Sequence, residues 1–246
     1  MFTRKNSQLL AIFALASTMV FTSCKKNDVA IQSTGQDDET TLKTLISENG
    51  TNPDELDLQN SSLLNAEGYV YSESNETGMN KIYRYRVQSN GALLQLASVT
   101  SGGAGNGMGL GSQGAVILDA SHEWLYAVNA GDNSISSFSV ASDGKLTLAH
   151  TTSSGGMTPI SLTCHGQYLY VVNSTSSNIC GFMLGADGMM TKINDSEQTL
   201  SANPAGPAQI TFQPEGKVLY VTEKATNKIA IFQLNNDGKA GPGTFM

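Results

Sequence analysis

"EWLYAVNAGDNSISSFSVASDGKL", residues 123–146, decides the fold because the chain repeats this pattern. "QYLYVVNSTSSNICGFMLGADGMM" spans 167–190, "KVLYVTEKATNKIAIFQLNNDGKA" spans 217–240, and the three segments align without a gap. In each copy a tyrosine lies 17 residues before an Asp-Gly pair. A looser first copy, "GYVYSESNETGMNKIYRYRVQSNGAL" at 68–93, has Asn-Gly in that place. The chain is therefore built from one unit of about 50 residues.

Each unit predicts four short antiparallel strands. "LYAVN" and "ISSFSV" are rich in β-branched and aromatic residues and are separated by polar turn residues. The Asp-Gly pair predicts a tight turn into a further strand, and "AVILDA" predicts one more strand upstream. Such units are typical of β-propeller blades, which need neighbours on both sides. We predict an all-β propeller with blades at about 68–101, 113–153, 158–200 and 207–246.

"GLGSQG", residues 109–114, has the G-x-G-x-x-G spacing of a dinucleotide-binding loop. Such a loop opens a helix whose N-terminus meets the pyrophosphate. Here "AVILDASHEWLYAVN" follows and predicts strand, turn and strand, so we expect the glycines to let the chain cross between two blades. We expect no nucleotide and no other cofactor. With 14 basic and 21 acidic residues, the chain also lacks the positive charge of a nucleic-acid-binding protein.

The N-terminus predicts export. Arg4 and Lys5 precede an apolar stretch at 9–21 that is too short for a membrane span, and "FTSC" follows. This resembles a bacterial lipoprotein signal, which implies a signal peptide at 1–23 and acylation of Cys24. The chain would then be held by lipid at the cell envelope, facing the periplasm or the surface. The alternative is an ordinary secretory signal near which Cys24 happens to lie.

Residues 24–62 predict a solvated tether. They are acidic, contain no aromatic residue and have nothing from which a core could form. The folded part is therefore expected at 63–246.

The repeats closely resemble the lactonase-family seven-bladed propellers, which include 6-phosphogluconolactonase-like and carboxymuconate-lactonizing proteins. The resemblance is carried by "GLGSQGAVILDASHEWLYAVNAGDNSISSF", "GGMTPISLTCHGQYLYVVN" and "GPAQITFQPEGKVLYVTEKATNKIAIF". It covers about 68–246, essentially all of the folded part. The family has seven blades, whereas this chain supplies about four and its first blade begins at the second strand. We therefore expect an incomplete, unclosed ring that behaves as a fragment.

The resemblance also implies where catalytic residues should lie. In the lactonizing relatives a histidine-bearing motif leads into the second blade, where this chain has Gln113. In the same relatives "GPRH" precedes a glutamate at the end of the next strand. This chain has "GPAQ" instead, which puts Ala208 and Gln209 in place of Arg and His. An ungapped alignment places Lys224 on that glutamate and Glu223 one residue before it. A strand residue moved by one position points to the other face, although a bulge restores the direction.

Lactone hydrolysis needs a general base for water and a cation or donor for the developing oxyanion. Glu223 and Lys224 are the candidates for these tasks, with Gln113 and Gln209 as further candidates. The alternative is that Glu223 and Lys224 are surface residues at a strand end.

The remaining asparagines, cysteines and histidines favour structural roles over functional ones. Asn129 and Asn173 end equivalent strands, and this repetition favours a structural role for both. Cys164 and Cys180 are expected on strands separated by a third strand, about 9–10 Å apart, which is too far for a disulfide. The three histidines lack metal-ligand spacing, so no metal site is expected.

Two functions remain open from the sequence. One is an envelope-anchored lactonase acting on a sugar or organic-acid lactone. The other is a non-catalytic propeller that binds carbohydrate or protein, which the loss of Arg and His from the family motif favours.

Overall fold

The computed structural model describes residues 68–246, in which every named element is a β-strand. The strands form four antiparallel sheets that follow one another along the chain, and these described sheets do not close into a ring. The predicted fold class, an all-β propeller with about four blades, is confirmed. The predicted signal peptide, Cys24 and the tether lie outside the described residues.

The first two sheets contain the looser first copy of the repeat, at 68–93, and the second copy, at 123–146. The first sheet contains β1 (Gly68–Glu73), β2 (Lys81–Val87), β3 (Leu93–Gln95) and β4 (Val99–Thr100). The second contains β5 (Val116–Leu118), β6 (Trp124–Asn129), β7 (Ser134–Val140) and β8 (Leu146–Ser153).

The third and fourth sheets have the same order of strands. The third contains β9 (Pro159–His165), β10 (Tyr168–Asn173), β11 (Asn178–Leu184), β12 (Met190–Lys192) and β13 (Gln198–Thr199). The fourth contains β14 (Pro207–Phe212), β15 (Val218–Glu223), β16 (Lys228–Gln233) and β17 (Thr244–Phe245). In the first and third sheets the outer strand is divided in two, since β3 and β4 both pair with β2, and β12 and β13 both pair with β11.

The Asp-Gly pairs form the predicted tight turns between the third and fourth strands of a blade. In the second sheet, the Ala141 N–H donates to the Lys145 carbonyl at 2.9 Å, and the Lys145 N–H donates to an Asp143 carboxylate oxygen at 3.0 Å. Gly144 has a φ of 75°, a backbone conformation that glycine adopts without steric cost. The equivalent turns of the third and fourth sheets have the same hydrogen bonds.

The hydrophobic core lies between successive sheets rather than inside any one of them. We call the side of a sheet that packs on the following sheet its forward face, and the side that packs on the preceding sheet its rear face. Phe138, Phe182 and Phe232 occupy the same position on three rear faces, and each is fully buried. Burying such a side chain contributes about 1.5–3 kcal/mol, so each blade depends on its neighbour for stability.

The glycine-rich segment before β5 leads into a strand, as the sequence predicts. Gly114 has a φ of 75°, and an added β-carbon would lie 3.0 Å from the Leu162 carbonyl oxygen. That close approach lets the Gly114 carbonyl accept a hydrogen bond from the Leu162 N–H at 2.7 Å. The glycine therefore serves contact between backbones of different blades.

Residues 68–246 contain no helix that is long and apolar enough to cross a membrane.

Candidate functional site

A polar residue ends the second strand of each complete sheet and is buried on the rear face. Asn129, Asn173 and Glu223 occupy this position, and their exposed fractions are 0, 0 and 3%. Buried polar groups at this depth require hydrogen-bond partners. Their partners show what the position does.

In the second and third sheets this position links the blade to the one before it. The Ser101 hydroxyl, at the end of the first blade, donates to Asn129 Oδ1 at 2.6 Å. The Asn129 amide in turn donates to Ser136 Oγ at 2.8 Å. Asn173 Nδ2 donates to the Ser154 carbonyl, at the end of the second blade, at 3.3 Å. The structural role that repetition predicts for the two asparagines is therefore visible in their contacts. We call this repeated contact the strand-end clasp.

Glu223 occupies the clasp position of the fourth sheet. Its carboxylate accepts hydrogen bonds from the Ser201 N–H at 3.0 Å and from the Thr226 hydroxyl at 2.6 Å. The Ser201 hydroxyl is a third donor. Ser201 follows the third blade one residue later than Ser101 and Ser154 follow the first two, since Leu200 occupies their position. Glu223 thus joins two blades through the two donors of Ser201 and accepts a third hydrogen bond from Thr226 of its own blade, and in this arrangement its carboxylate is not open to a ligand.

Lys224 lies at the same strand end but its side chain is exposed. Its Nζ donates to the Gly111 carbonyl at 2.6 Å, across 113 residues of sequence. Its backbone N–H donates to the Gly206 carbonyl at 2.9 Å. The position that aligns with the family's glutamate is therefore filled by a cation held against the glycine-rich segment. The predicted difference in direction between Glu223 and Lys224 is present, since one is buried and the other is exposed.

Gln113 and Gln209 lie close to this lysine in the fold. The Gln113 N–H donates to the Ala208 carbonyl at 3.1 Å, which places Gln113 against the first strand of the fourth sheet. Gln209 follows Ala208 and pairs across the sheet with exposed Thr222, so it belongs to the forward face. The glycine-rich segment is held on the other side by Ser112 Oγ, which donates to the Ile160 carbonyl at 2.7 Å.

The structure therefore brings the backbone segments that carry three of the four candidate residues to the same place and separates the fourth. Gln113, Gln209 and Lys224 lie where the segment at 109–114 crosses the inner ends of the third and fourth sheets. We call these three residues the crossing cluster. An ammonium and two carboxamides can donate hydrogen bonds to a carbonyl, a carboxylate or an oxyanion. Glu223 lies on the opposite, rear face, within the clasp.

Sequence reasoning missed Ser201 and Thr226 as the partners of Glu223. A signal for the first was present, because a serine follows the outer strand of each of the first three units, directly at 101 and 154 and one residue later at 201. The hydrogen bond between Lys224 and Gly111 left no such signal, because any residue can supply a carbonyl oxygen.

A second buried carboxyl, Glu73, lies outside both groups. It ends β1 on the forward face of the first sheet, where it pairs with fully buried Ile82. Its Oε1 is buried and has no hydrogen-bond partner in the structure, while Asn80 Nδ2 lies 3.5 Å from Oε2. Burial raises the pKa of Glu73 from 4.5 to about 8, and the contact with Asn80 opposes the rise.

Cys164 and Cys180 are free thiols on β9 and β11, with β10 between them as predicted. Burial raises the pKa of each thiol to about 11, so neither is a reactive thiolate at neutral pH. Among the described residues, no group of three His, Cys, Asp or Glu side chains is placed to hold a metal ion.

Comparison with known proteins identifies the family. The family model "Lactonase, 7-bladed beta-propeller" matches residues 65–203 and 166–241. No curated protein sequence matches the chain.

Solved structures show the same fold in longer chains. A protein from Lactobacillus plantarum matches with a TM-score of 0.59 and 20% identity, over 72% of this chain and 53% of that chain. The periplasmic gluconolactonase PpgL of Pseudomonas aeruginosa matches with a TM-score of 0.53 and 16% identity, over 72% of this chain and 50% of that chain. A functionally unknown protein from Desulfotomaculum acetoxidans matches with a TM-score of 0.52 and 16% identity, over 72% of this chain and 57% of that chain. The chain therefore spans about half the length of these proteins.

The blade structure, the order of the repeats and a family model that covers more than half of the sequence agree, and the chain belongs to the lactonase family of seven-bladed β-propellers.

Proposed function

We propose that this chain is part of an envelope-anchored lactonase that hydrolyses a sugar or organic-acid lactone. The observation that supports the proposal is the crossing cluster, in which the Lys224 ammonium donates to the Gly111 carbonyl and the Gln113 N–H donates to the carbonyl of Ala208, next to Gln209. The family resemblance aligns this region with the catalytic residues of the lactonizing relatives. Family membership supports the reaction class. The periplasmic location that PpgL carries in its name agrees with the export signal in this sequence.

In lactone hydrolysis, the role of the crossing cluster is to stabilise the negative charge that develops on the carbonyl oxygen. Attack of water on the lactone carbonyl places negative charge on the carbonyl oxygen, and a cation with amide donors stabilises that charge. Lys224 supplies the cation, and Gln113 and Gln209 supply neutral donors. Because Lys224 is held by a backbone carbonyl and its own N–H is bonded to Gly206, its ammonium starts from a defined position.

The general base has two candidate sources. Glu223 is the predicted base, and to accept a proton from water it would have to leave at least one of its donors, Ser201 or Thr226. The relatives are about twice as long as this chain, so a base from another blade of an intact protein is an alternative.

The second candidate function is a non-catalytic binding platform for carbohydrate or protein. The observation that favours it is the clasp, in which Glu223 has the same place as Asn129 and Asn173 and therefore a sufficient structural reason to be present. The same cluster of donors would then hold an acceptor-rich ligand without reacting with it.

The deciding experiment is a hydrolysis assay on the intact protein that carries this chain, with a panel of aldonolactones. Under the lactonase proposal, Lys224→Met lowers kcat/KM, because the oxyanion loses its cation. The matched control is Lys217→Met, which removes an exposed lysine from the other end of β15 and should leave the rate unchanged. If no lactone is hydrolysed above the rate in water, the enzyme proposal fails and binding of the same lactones or sugars tests the platform.

A further inference from the structure

The segment that leads into the second sheet is much longer than its counterparts. It spans 101–115, whereas the segments that lead into the third and fourth sheets span only 154–158 and 200–206. The chain therefore crosses between neighbouring sheets elsewhere with less than half as many residues. We call residues 104–113 of the long segment the strap, and its contacts show what the additional length does.

The first end of the strap is held by side chains of the first and second sheets. Asn75 follows β1, and its Nδ2 donates to Asn106 Oδ1 at 2.7 Å. Asp132 follows β6, and its carboxylate accepts a hydrogen bond from the Ala104 N–H at 2.9 Å. This end of the strap is therefore fixed independently of the third and fourth sheets.

The second end of the strap is docked on two equivalent β-bulges. The register between β9 and β10 skips Ile160, and the register between β14 and β15 skips Ala208. A bulge leaves its extra residue without a partner in the ladder. The strap supplies partners for both carbonyls, since Ser112 Oγ donates to Ile160 at 2.7 Å and the Gln113 N–H donates to Ala208 at 3.1 Å. Two consecutive strap residues thus bind the first strands of the third and fourth sheets.

The strap residues next to this docking point hold the Lys224 ammonium. Gly111 directly precedes Ser112, and its carbonyl accepts the hydrogen bond from Lys224 Nζ at 2.6 Å. Among residues 68–246 the Lys224 ammonium forms no ion pair, so the Gly111 carbonyl is the group that fixes it. The Leu110 side chain is partly buried against the cores between the second and third and between the third and fourth sheets. The strap therefore places one backbone carbonyl, and through it one cation.

We propose that Ser112 is a positioning residue of the crossing cluster. Its hydroxyl ties the strap to the bulge of the third sheet, between the carbonyl that holds the Lys224 ammonium and the residue Gln113. The peptide units on both sides of Ser112 depend on this hydrogen bond for their orientation, as a functional group depends on the residues that support it. Without the hydroxyl, Leu110 keeps the strap on the sheets, but the Gly111 carbonyl loses its fixed direction. The effect on hydrolysis rests on the proposed lactonase function, whereas the effect on the ammonium does not.

The first measurement needs no substrate. The intact protein that carries this chain is treated with a limiting amount of the N-hydroxysuccinimide ester of acetate, and mass spectrometry gives the acetylation rate of Lys224 relative to that of exposed Lys217 in the same molecule. Acetylation needs the amine free of its hydrogen bond to Gly111. Ser112→Ala should therefore raise the ratio about two- to tenfold, which is the value of one hydrogen bond. Ser112→Thr keeps the hydroxyl and should leave the ratio at the parent value.

The matched control is Ser154→Ala. Ser154 Oγ donates to the Gly156 carbonyl at 3.2 Å in the segment that leads into the third sheet, so this variant loses the same kind of hydrogen bond in a different crossing. The acetylation ratio of Ser154→Ala should equal that of the parent. Circular dichroism melts show that each variant is folded, so a change in the ratio reports the position of the ammonium rather than unfolding.

The second measurement is the hydrolysis of the aldonolactone panel. Ser112→Ala should lower kcat about two- to tenfold and leave KM within about twofold, because the charge that the Lys224 ammonium stabilises develops only in the transition state. Ser112→Thr should restore kcat. If no lactone is hydrolysed, the lactonase proposal fails, while the acetylation ratio still decides the role of Ser112.

Three results overturn the positioning role of Ser112. The first is an acetylation ratio in Ser112→Ala that equals the parent value. The second is a ratio that rises as much in Ser112→Thr or in Ser154→Ala as in Ser112→Ala, which indicates a general loosening of the strand ends. The third is an unchanged kcat in Ser112→Ala of an active enzyme, which separates the position of the ammonium from catalysis.

Discussion

Replacing Glu73 by glutamine should make the protein more stable, and the gain should grow with pH. The carboxyl lies on the face between the first and second sheets, its Oε1 has no partner, and burial raises its pKa from 4.5 to about 8. In the unfolded chain the same group ionises near its ordinary pKa. Ionisation therefore favours the unfolded state at every pH between these two values.

The magnitude follows from the two pKa values. Below about pH 4.5 the group is neutral in both states, and its full contribution to stability is present. Between the two values the unfolded state alone releases the proton, so the free energy of unfolding falls by about 1.4 kcal/mol for each pH unit. The loss amounts to about 2 kcal/mol between pH 5 and pH 7, and it levels off above the folded-state pKa of about 8. A glutamine does not titrate and removes this dependence.

The assay is urea unfolding of the parent and Glu73→Gln from pH 5 to pH 9, with reversibility checked at each pH. The difference between the two free energies of unfolding should rise by about 2 kcal/mol from pH 5 to pH 7, rise further up to about pH 8, and level off above that pH. Glu215→Gln is the control, because it makes the same chemical change at an exposed position. A difference for Glu73→Gln that stays flat across this range would refute the reasoning.

Three further predictions concern other parts of the chain. Mass spectrometry of the mature N-terminus should find an acylated Cys24, and an unlipidated N-terminus contradicts the anchor. Glu223→Gln should lower the free energy of unfolding by about 1–2 kcal/mol, because Ser201 and Thr226 lose a charged acceptor. A rate loss of about 10²–10⁴-fold at unchanged stability would instead assign Glu223 the general-base role. Ser101→Ala should lower the free energy of unfolding in urea by about 0.5–1.5 kcal/mol, because Asn129 Oδ1 loses its 2.6 Å donor and keeps only Asn80 Nδ2 at 3.2 Å; no change would remove the clasp as a source of stability.

The blades were predictable because their signals are local and repeated. Alternating β-branched residues, an Asp-Gly turn and a tyrosine at a fixed distance all recur at the same spacing, so that each copy supports the interpretation of the others. A structural role for Asn129 and Asn173 was predictable for the same reason, whereas their contacts with the preceding blade were not. Repetition at equivalent positions indicates a role in the fold, because a residue that the fold needs recurs in each copy.

The candidate site was predictable only in part, because its contacts join distant segments through the backbone. The alternation of a strand separates Glu223 from Lys224, and the sequence is sufficient to see that they face opposite ways. Nothing in the sequence shows that the Lys224 ammonium meets the Gly111 carbonyl, or that Gln113 lies on Ala208. Burial of Glu73 was hidden as well, because the residues that follow Tyr71 in "YSESNE" are all polar.

The clasp explains how a structural repeat can carry a variable site. Glu223 fixes the end of β15 against the preceding blade through Ser201, and Lys224 follows one residue later with its own N–H bonded to Gly206. In the fourth sheet the residue after the clasp thus has a held backbone and an exposed side chain, whereas Ala130, at the same place in the second sheet, is 3% exposed. Lys224 replaces the carboxylate that the family resemblance implies, whereas the buried position before it still makes the contact made by Asn129. Substitutions at 224 should therefore alter the ligand that is recognised, and substitutions at 223 should alter stability.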